Sequence, residues 1–391
     1  MIKNINIPKH WQVKILGEVC EIKSGKNQSK VINPNGKYPI YGSSGIFGYA
    51  DEYICSEGTT IIGRKGTINS PIYVKTKFWN VDTAFGLCSK EGLNGKFLYY
   101  FCRGFNFHKL DKSTTIPSLS KRDLLSIDIP IPPLNEQLAI VSRIEELLSD
   151  LENGKQQLQT AQQQLEIYRQ SLLKWAFEGK LTNKNIKDGE LPKGWKLRKI
   201  SELSNVVRGG SPRPAGDPKF YDGKIPFLKV RDITKNSNAF ITTFEYTIKE
   251  AGLYKTRQIR PNTLLLSNSG ATLGVPKICM IDATMNDGIA AFLDLDERSN
   301  LYLYYFWLSK TRELRNINMG AAQPNLNTDI IKNYFVPYCS FDEQKLIVDE
   351  LESKLTVCDK IEETISQSLQ QAETLKQSIL KKAFEGKLTK Q

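Results

Sequence analysis

Residues suited to nucleophilic or metal chemistry are scarce in this sequence of 391 residues. Its only histidines are His10 and His108, and none of its seven cysteines forms a C-x-x-C pair. Cys20, Cys102 and Cys358 have no histidine motif beside them, and a thiol nucleophile usually needs such a base. We therefore predict buried structural thiols, no metal site and no catalytic residue. The cysteine pattern also favours a reducing compartment such as the cytoplasm.

Loops that bind cofactors are missing as well. No G-x-x-x-x-G-K-[ST] loop for nucleotide phosphates occurs, and the glycine series at 42–48 has the wrong spacing for a dinucleotide loop. The Asn/Asp-Pro-Pro-aromatic motif of amino-methylating enzymes is absent, because Leu134 follows the only Pro-Pro pair at 132–133. The sequence thus predicts no cofactor in this chain. A nuclease cluster of carboxylates and a lysine is too degenerate a pattern to exclude.

Polar and basic side chains concentrate in the glycine-rich turns, where they are suited to nucleic-acid binding. Phosphates and base edges are recognised by donors and acceptors on exposed loops. For any single residue a turn-forming or solvated role is the more frequent one, so the prediction concerns the group more than its members. The candidate DNA-binding residues are Ser43, Ser44, Arg64, Lys65, Lys112, Ser113, Thr114 and Thr115 in the first half, and Arg208, Arg213, Lys229, Arg231, Asn268, Gln323 and Asn325 in the second.

The excess of basic charge is confined to two segments. Residues 1–131 contain 18 Lys/Arg against 10 Asp/Glu, and residues 183–336 contain 23 against 15, whereas 132–182 and 337–391 are slightly acidic. Two basic segments suit two contacts with one extended polyanion, and double-stranded DNA is the obvious candidate because neutralised phosphates supply affinity. Basic surface that serves only solubility is the alternative. No run of about 20 apolar residues occurs, so no membrane contact is predicted.

A two-fold internal repeat accounts for this charge pattern. AFEGKLT at 176–182 returns unchanged at 383–389, and IPKHWQVKILGEV at 7–19 resembles LPKGWKLRKISEL at 191–203. Such a repeat indicates duplicated structural units. It predicts four segments in the order head, tail, head, tail. The first head is 1–131, the first tail 132–182, the second head 183–336 and the second tail 337–391.

Both tails are predicted to be long helices with a heptad seam. Apolar residues recur every seven positions over about five heptads without an internal proline, which is typical of a coiled coil. Gly179 and Gly386 are the predicted helix stops. Because two equal stripes occur in one chain, each is the natural partner of the other; packing of each stripe on its own head is the alternative. The seam residues are Ile144, Leu151, Leu158, Leu165 and Leu172, and Leu351, Cys358, Ile365, Ala372 and Ile379.

The heads are predicted to have an α+β fold. Short β-branched and aromatic runs alternate with clusters of Gly, Asn, Pro and Ser, as in strands joined by turns. The apolar segments KFLYYFCRG at 96–104 and LYLYYFWLS at 301–309 are predicted helices. The fold class is therefore two globular α+β domains separated by two long helices, with a pseudo-two-fold repeat.

These features together resemble the specificity (S) subunit of type I restriction-modification enzymes, over essentially the whole chain. The most specific motifs are P-x-x-W at 8–11 and 192–195, and the proline-then-Glu-Gln segments PIPPLNEQ at 130–137 and VPYCSFDEQ at 336–344. AFEGKLT and the two-fold order add to the resemblance, and so do IPFLKVRDI at 225–233 and NDGIAAF at 286–292. The departures are small: His10 stands where the second copy has Gly194, and the segment before the second long helix has Cys339-Ser340 where the first has Pro-Pro-Leu.

The resemblance implies a non-catalytic subunit that recognises DNA. Each head would be a target recognition domain that reads one half of a split, asymmetric site, and the helices would form an antiparallel coiled-coil spacer that sets the gap. Two modification (methyltransferase) subunits would bring S-adenosylmethionine and methylate an adenine in each half-site. Restriction (translocase and nuclease) subunits would use ATP and Mg. Helix residues such as Glu145, Glu146, Leu147, Glu362 and Glu363 would contact the modification subunits, although a solvated helix face is an equal alternative.

Three other functions stay open at this point. An enzyme with an unrecognised site would show activity in the purified chain alone. A coiled-coil scaffold whose heads bind proteins would show no salt-dependent affinity for DNA. A specificity subunit of a methylation-only system cannot be separated by sequence, because the restriction subunit is another chain.

Overall fold

The computed structural model describes residues 7–183, 185–270, 272–317 and 326–388. Within them the chain divides into two compact units: unit 1 comprises 7–160 with 365–388, and unit 2 comprises the residues from 161 to 364. Each unit therefore contains one head and a part of each long helix. The sequence repeat predicts a different division, in which 1–131 and 183–336 are heads and 132–182 and 337–391 are helices. These four boundaries stay a prediction.

Unit 1 has a mixed α+β head. Its short helices are α1 (Leu16–Val19), α2 (Gly95–Gly104) and α3 (Lys121–Leu125), and its strands are β1 (Gln12–Ile15), β2 (Cys20–Ser24), β3 (Tyr38–Gly42), β4 (Gly45–Ala50), β5 (Thr59–Gly63), β6 (Ile72–Val74), β7 (Trp79–Asn80), β8 (Ala84–Ser89) and β9 (Asp128–Ile131). They form a four-stranded sheet in the order β2-β8-β5-β6, a three-stranded sheet in the order β4-β3-β7, and a ribbon of β1 with β9. The pairing of β3 with β7 is parallel, and the other pairs are antiparallel.

A long helix, α4 (Leu134–Phe177), follows the first head and continues into unit 2, whose own head is larger. The strands of unit 2 are β10 (Lys196–Lys199), β11 (Asn205–Arg208), β12 (Tyr221–Leu228), β13 (Phe240–Ile241), β14 (Thr247–Ile248), β15 (Arg257–Ile259), β16 (Thr263–Ser267), β17 (Pro276–Cys279), β18 (Ala283–Met285), β19 (Ile289–Leu293) and β20 (Phe335–Tyr338), and its helices are α5 (Val230–Thr234), α6 (Asn300–Ile317), α7 (Thr328–Lys332) and α8 (Phe341–Phe384). The strands form a five-stranded sheet β11-β19-β16-β17-β13, a four-stranded sheet β14-β12-β18-β15, and a ribbon of β10 with β20. Strands β13 and β15 have no counterpart among the described strands of unit 1, in keeping with the longer second head.

The apolar helix of each head lies where the sequence predicts one. In unit 1 the side chain of Asn94 accepts a hydrogen bond from the amide of Phe97 at 3.0 Å and so caps α2. In unit 2, α6 runs to residue 317, eight residues beyond the predicted end, because its apolar face continues to the fully buried Leu314. Each of these helices covers one face of the larger sheet of its unit.

In unit 1 the start of α4 packs against the end of α8. Ile140 and Ile144 share one hydrophobic cluster with Leu380 and Phe384, and farther along the helices the ammonium group of Lys155 pairs with the carboxylate of Glu373. Rising numbers on one helix therefore meet falling numbers on the other, which makes the pair antiparallel within this unit. The rings of Phe97 and Phe101 on α2 meet the ring of Phe384 edge to face, with centroids 5.0 and 5.4 Å away.

In unit 2 the end of α4 packs in the same way against the start of α8. Leu172 shares a cluster with Leu351, and Arg169 donates to Asp359 at 2.6 Å and to Glu362 at 2.9 Å. The ring of Phe177 takes the place that Phe384 has in unit 1, with centroid distances of 5.2 Å to Tyr302 and 5.3 Å to Phe306.

The ten seam residues line these helix contacts. Leu151 and Leu158 are half-buried, and the other eight are buried. Tyr168 and Trp175, which the heptad pattern also places near the stripe, are 42% and 39% exposed and lie at its edge. None of the described helices combines the length and the apolar character required to cross a bilayer.

The repeated sequence motifs meet one another inside unit 1. Gly386 of AFEGKLT has a φ of 68°, and a Cβ there would lie 2.4 Å from Cγ of Pro8 in the P-x-x-W motif. The indole N–H of Trp11 donates to Oε1 of Glu136 at 3.0 Å. The motifs are therefore the joint between a head and its helices, which explains why they recur as a set.

Unit 2 builds the same joint with one difference. Gly179 has a φ of 75°, and a Cβ there would lie 2.1 Å from Cγ of Pro192. Within the described residues, however, the buried indole N–H of Trp195 has no hydrogen-bond partner, and the equivalent carboxylate of Glu343 accepts from the side chain of Asn183 at 3.0 Å instead.

Candidate nucleic-acid interface

In unit 1 the candidate loops converge on the turn that joins β7 to β8, residues 81–83, which we call the central turn of unit 1. The amide of Arg64 donates to the carbonyl of Thr83 at 2.7 Å, and its guanidinium group reaches the carbonyl of Asp82 at 3.3 Å. The amide of Val81 donates to the carbonyl of Tyr41 at 3.0 Å, two residues before Ser43. The Ser43-Ser44 turn and the Arg64-Lys65 loop are thus brought together.

The third candidate loop of unit 1 joins the same region through Arg64 and Lys65. The amide of Leu119 donates to the carbonyl of Arg64 at 2.9 Å, and Lys65 forms an isolated antiparallel bridge with Ser118. This pairing places the loop with Lys112, Ser113, Thr114 and Thr115, all exposed, directly beside the basic pair.

Asp111 organises this third loop. Its Oδ1 accepts hydrogen bonds from the hydroxyl and the amide of Ser113 and from the amide of Ser118, at 2.6, 3.0 and 3.1 Å. These bonds, first that of the Ser113 hydroxyl and then that of the Ser118 amide, lower the pKa of the Asp111 carboxyl below its ordinary value. Lys112 pairs with Asp123 at 3.2 Å but is exposed over 79% of its side chain, so this solvated pair is weak and free to rearrange.

In unit 2 the candidate loops converge on the turn between β18 and β19, residues 286–288, which we call the central turn of unit 2. Nε of Arg208 donates to the carbonyl of Asp287 at 2.6 Å, and the hydroxyl of Ser211 donates to Oδ1 of Asp287 at 2.6 Å. The guanidinium group of Arg213 lies 3.7 Å from Oδ2 of the same residue. Residues 208–213, which begin at the end of β11 and which we call the arginine loop of unit 2, are therefore fixed on this turn.

A second loop of unit 2 reaches the central turn from β12. The amide of Asn286 donates to the carbonyl of Leu228 at 2.9 Å. The next residue, Lys229, holds its ammonium group 3.6 Å from the ring centroid of Tyr246, and Arg231 lies 3.5 Å from Glu245. The Arg231 side chain is 73% exposed and its solvated ion pair is weak, so a phosphate can replace the carboxylate as its partner.

Asn268 does not lie where the sequence prediction requires. Its amide donates to the carbonyl of Gly288 at 2.9 Å, so it adjoins the central turn, but its side chain is fully buried and its two polar atoms have no hydrogen-bond partner among the described residues. The strand end turns the side chain inward, so the burial gives no support to a base contact by Asn268, which stays a prediction. The candidates Gln323 and Asn325 lie outside the described residues.

Both central turns are approached by a glycine at the end of the first sheet strand. A Cβ at Gly25 would lie 1.8 Å from the carbonyl oxygen of Val81, and one at Gly209 would lie 2.1 Å from that of Asn286. No side chain fits at either place, since the backbone segments are in direct contact. The spacing of Gly25 from Trp11 equals that of Gly209 from Trp195. This equal spacing marks, in the sequence itself, the loop that follows each glycine as part of the surface around the central turn.

Further candidate DNA-binding residues, which the sequence analysis does not identify, lie in the loop after Gly25 and among the exposed aromatic side chains. Lys26 is exposed and its amide donates to the carbonyl of Asn80 at 2.9 Å, so it flanks the central turn of unit 1. Phe47, on the hairpin of β3 and β4, is 52% exposed, and Tyr254 in unit 2 is 77% exposed. Aromatic residues alternate with cations at surfaces that bind nucleic acids, a pattern that a search restricted to polar residues overlooks.

The loops gathered around each central turn, which we call the loop cluster of that unit, carry exposed cations: Arg64, Lys65 and Lys112 in unit 1, and Arg208, Arg213 and Arg231 in unit 2. No group of three or more His, Cys, Asp or Glu side chains is placed to hold a metal ion in the parts of the chain that the structure describes. The arrangement can bind phosphates and base edges, and the geometry places the loops of one unit on one turn.

Known proteins resemble this chain along most of its length. A family model described as the type I restriction modification DNA specificity domain matches residues 8–160 and again residues 192–371. The type I restriction enzyme EcoBI specificity subunit of Escherichia coli is 29% identical over 356 residues, which are 85% of this chain and 74% of that protein. The putative type I restriction enzyme specificity subunit S.HindORF215P of Haemophilus influenzae is 27% identical over 384 residues, or 92% of this chain and 91% of that protein.

Solved structures share the fold. The HsdS subunit from Thermoanaerobacter tengcongensis gives a TM-score of 0.67 at 20% identity, covering 99% of this chain and 100% of that chain. A chain from a structure that describes complex assembly and conformational transition of the type I R-M system gives a TM-score of 0.75 at 20% identity. The match covers 97% of this chain and 99% of that chain. At this identity the likeness concerns the fold, which consists of α+β domains with helical connections.

Proposed function

This chain belongs to the type I restriction modification DNA specificity family, and from that premise we propose how its two units divide the work. The chain is the DNA specificity subunit of a type I restriction-modification system. Under the proposal each unit binds one half of a split, asymmetric DNA site with the loops around its central turn. The two halves differ because the loops differ in sequence.

The observation that carries this proposal is the convergence of separate basic loops on one turn in each unit. In unit 1 the Arg64 loop is bonded to the turn at 81–83 and the Lys112 loop is bonded to the Arg64 loop, and in unit 2 the segments with Arg208 and Arg231 meet at 286–288. A cluster of loops held by backbone hydrogen bonds presents donors in a fixed geometry, which recognition of base edges requires. Sheets and helices beneath the loops supply that rigidity.

The remaining roles in the proposal belong to other chains. Two modification subunits bind the helices and methylate an adenine in each half-site with S-adenosylmethionine, and restriction subunits with ATP and Mg cleave DNA. This chain supplies no reacting group and directs its partners to the site. Three of the helix carboxylates proposed for partner contact have partners within the chain, since Glu145 accepts from Lys96 at 2.7 Å, Glu146 from Arg143 at 2.7 Å and Glu362 from Arg169 at 2.9 Å. These ion pairs are solvated and weak, so the three carboxylates, together with Leu147 and Glu363, stay candidates for that contact.

Salt-dependent binding of duplex DNA by the complex with modification subunits tests the proposal. Each phosphate contact adds about −0.9 to the slope of log K against log salt. Replacing Lys26 or Lys65 by Gln removes one cation beside the central turn of unit 1, so the slope should become shallower by about 0.9. Lys360→Gln is the matched control, because Lys360 is exposed on α8 and should leave the slope unchanged. Equal slopes for all four proteins would contradict the proposal.

A further inference from the structure

Tyr254 is the most exposed large apolar side chain in the part of the chain that the structure describes, at 77%. It lies in a 3-10 helix, Glu250–Lys255, between β14 and β15 of unit 2. Its ring packs on no other aromatic ring, and its hydroxyl makes no hydrogen bond within the described residues. Most of the ring is therefore exposed to solvent and available to a binding partner.

The backbone beneath this ring is fixed to the arginine loop of unit 2. The ammonium group of Lys255 donates to the carbonyl of Arg213 at 2.9 Å. A Cβ at Gly210 would lie 2.4 Å from the carbonyl oxygen of Lys255, so the two segments are in direct contact. The hydroxyl of Thr256 donates to the carbonyl of Met285 at 2.8 Å, one residue before the central turn. Tyr254 thus projects from the edge of the same loop cluster that carries Arg208 and Arg213.

The charge around the ring suits a nucleic-acid partner. Nζ of Lys255 lies 5.5 Å from the centroid of the Tyr254 ring and 4.3 Å from that of Phe220. A cation beside a projecting ring matches the alternation of phosphate and base along a DNA strand, since the cation meets the phosphate and the ring meets the base. Unit 1 has a comparable residue in Phe47, whose ring covers Gly42 beside the Ser43-Ser44 turn.

We propose that Tyr254 is a specificity-determining residue whose ring contacts one base of the half-site bound by unit 2. This inference rests on the proposed function of the chain. The ring makes the apolar contact that the arginines cannot make, either on the methyl group of a thymine or on the face of a base that leaves the stack. Both contacts are position-specific and neither depends on phosphate charge.

The test measures binding of duplexes with every single-base change in both half-sites by the complex with modification subunits. Tyr254→Ala should weaken binding of the cognate duplex by about tenfold and abolish discrimination at one position in one half-site, without change in the salt slope. Tyr254→Phe keeps the ring and should retain the discrimination. Tyr168→Ala is the control, because Tyr168 is also exposed but lies on α4 outside the loop cluster.

Two probes then identify the contact. Deoxyuridine in place of thymine should reproduce the loss if the ring packs on a methyl group, and 2-aminopurine should brighten on binding if the ring unstacks a base. Unchanged discrimination by Tyr254→Ala, or a uniform loss over all duplexes with a shallower salt slope, would overturn the inference while the proposed function stands. A wild-type complex that binds every duplex equally would overturn both.

Discussion

The α-carbon of Gly209 lies against the carbonyl oxygen of Asn286 so closely that a Cβ would come within 2.1 Å of that oxygen. The contact fixes the arginine loop of unit 2 on its central turn. Gly25 and Val81 make the equivalent contact in unit 1. The geometry of each loop cluster therefore depends on the close approach of a glycine to the central turn.

Replacing Gly209 by Ala should displace the arginine loop, because backbone atoms cannot move apart as a flexible side chain can. We expect unit 2 to lose sequence discrimination while unit 1 keeps its own, which binding to duplexes altered in one half-site measures. Gly154→Ala is the control, since no atom lies within 4 Å of a Cβ there and alanine favours the helix by up to about 1 kcal/mol. Equal discrimination by Gly209→Ala and wild type would contradict this role of the turn.

Phe384 and Phe177 should contribute similarly to the stability of unit 1 and unit 2, respectively. Each is buried between a long helix and the apolar helix of a head, and its removal leaves a cavity among aromatic rings. Phe384→Ala should destabilise unit 1, and Phe177→Ala unit 2, by about 3–5 kcal/mol. Amide hydrogen exchange, measured separately for peptides from unit 1 and from unit 2, shows which unit each substitution destabilises.

The control for this pair is Leu375→Ala, because Leu375 is 49% exposed and such surface changes usually stay within about 0.5 kcal/mol. Faster exchange spread evenly over both units after either substitution would show that the units do not unfold separately.

The architecture was largely predictable from the sequence. The repeat, the heptad seams and the P-x-x-W and AFEGKLT motifs led to two α+β domains with long helices and to the family, and the family match and the fold confirm both. The division into units was not foreseen, because a heptad pattern predicts a continuous helix and carries no information on which head each part of that helix contacts. Pro337 precedes α8, which begins at Phe341, and it also lies in β20, paired with Leu197, a strand pairing that the sequence does not indicate.

The carboxyl of Asp111 should titrate below its ordinary value of 3.8. A group whose pKa is lowered by folding stabilises the folded loop above its unfolded pKa, and this contribution is lost as the pH falls through the folded pKa. Carbon-13 NMR of the chain with labelled aspartate carboxyls measures the midpoint, and the signal lost in Asp111→Asn identifies it. A midpoint at or above 3.8 would mean that the bonds from Ser113 and Ser118 do not form in solution.

Shortening both helices by one heptad should shorten the preferred gap between half-sites. Because Lys155 faces Glu373, residues 371–377 lie opposite residues 151–157, and removing both segments keeps the seam in register. Seven helical residues span about 10 Å at roughly 1.5 Å each. At roughly 3.4 Å per base-pair step, the gap between the half-sites should therefore shorten by at most about three base pairs. The methylated motif reports the gap directly.

A matched control for the deletion keeps the helix length and changes only solvent-facing side chains, as in the double variant Gln156→Ala and Gln157→Ala. The control should retain the original gap. If the deletion retained it too, the helices would not set the spacing.

The site was predictable only in part, and the reason is geometric. Turn-forming sequences located the loops with Arg64, Lys112 and Arg208, but the central turns that collect them come from strand pairings distant in sequence. Asn268 looked like a base-reading amide because its SNSG context resembles an exposed turn, yet the strand end buries it. Tyr254 was overlooked because single exposed aromatics have no periodic signal.

The most direct test of the whole account is to co-express this chain with its modification subunit and to map adenine methylation across genomic DNA by single-molecule sequencing. The account predicts one split, asymmetric motif, methylated on both strands, with one half altered by changes at Arg208 or Arg213 and the other by changes at Arg64 or Lys65. A stable complex that methylates no new motif, or a motif whose two halves change together, would contradict it.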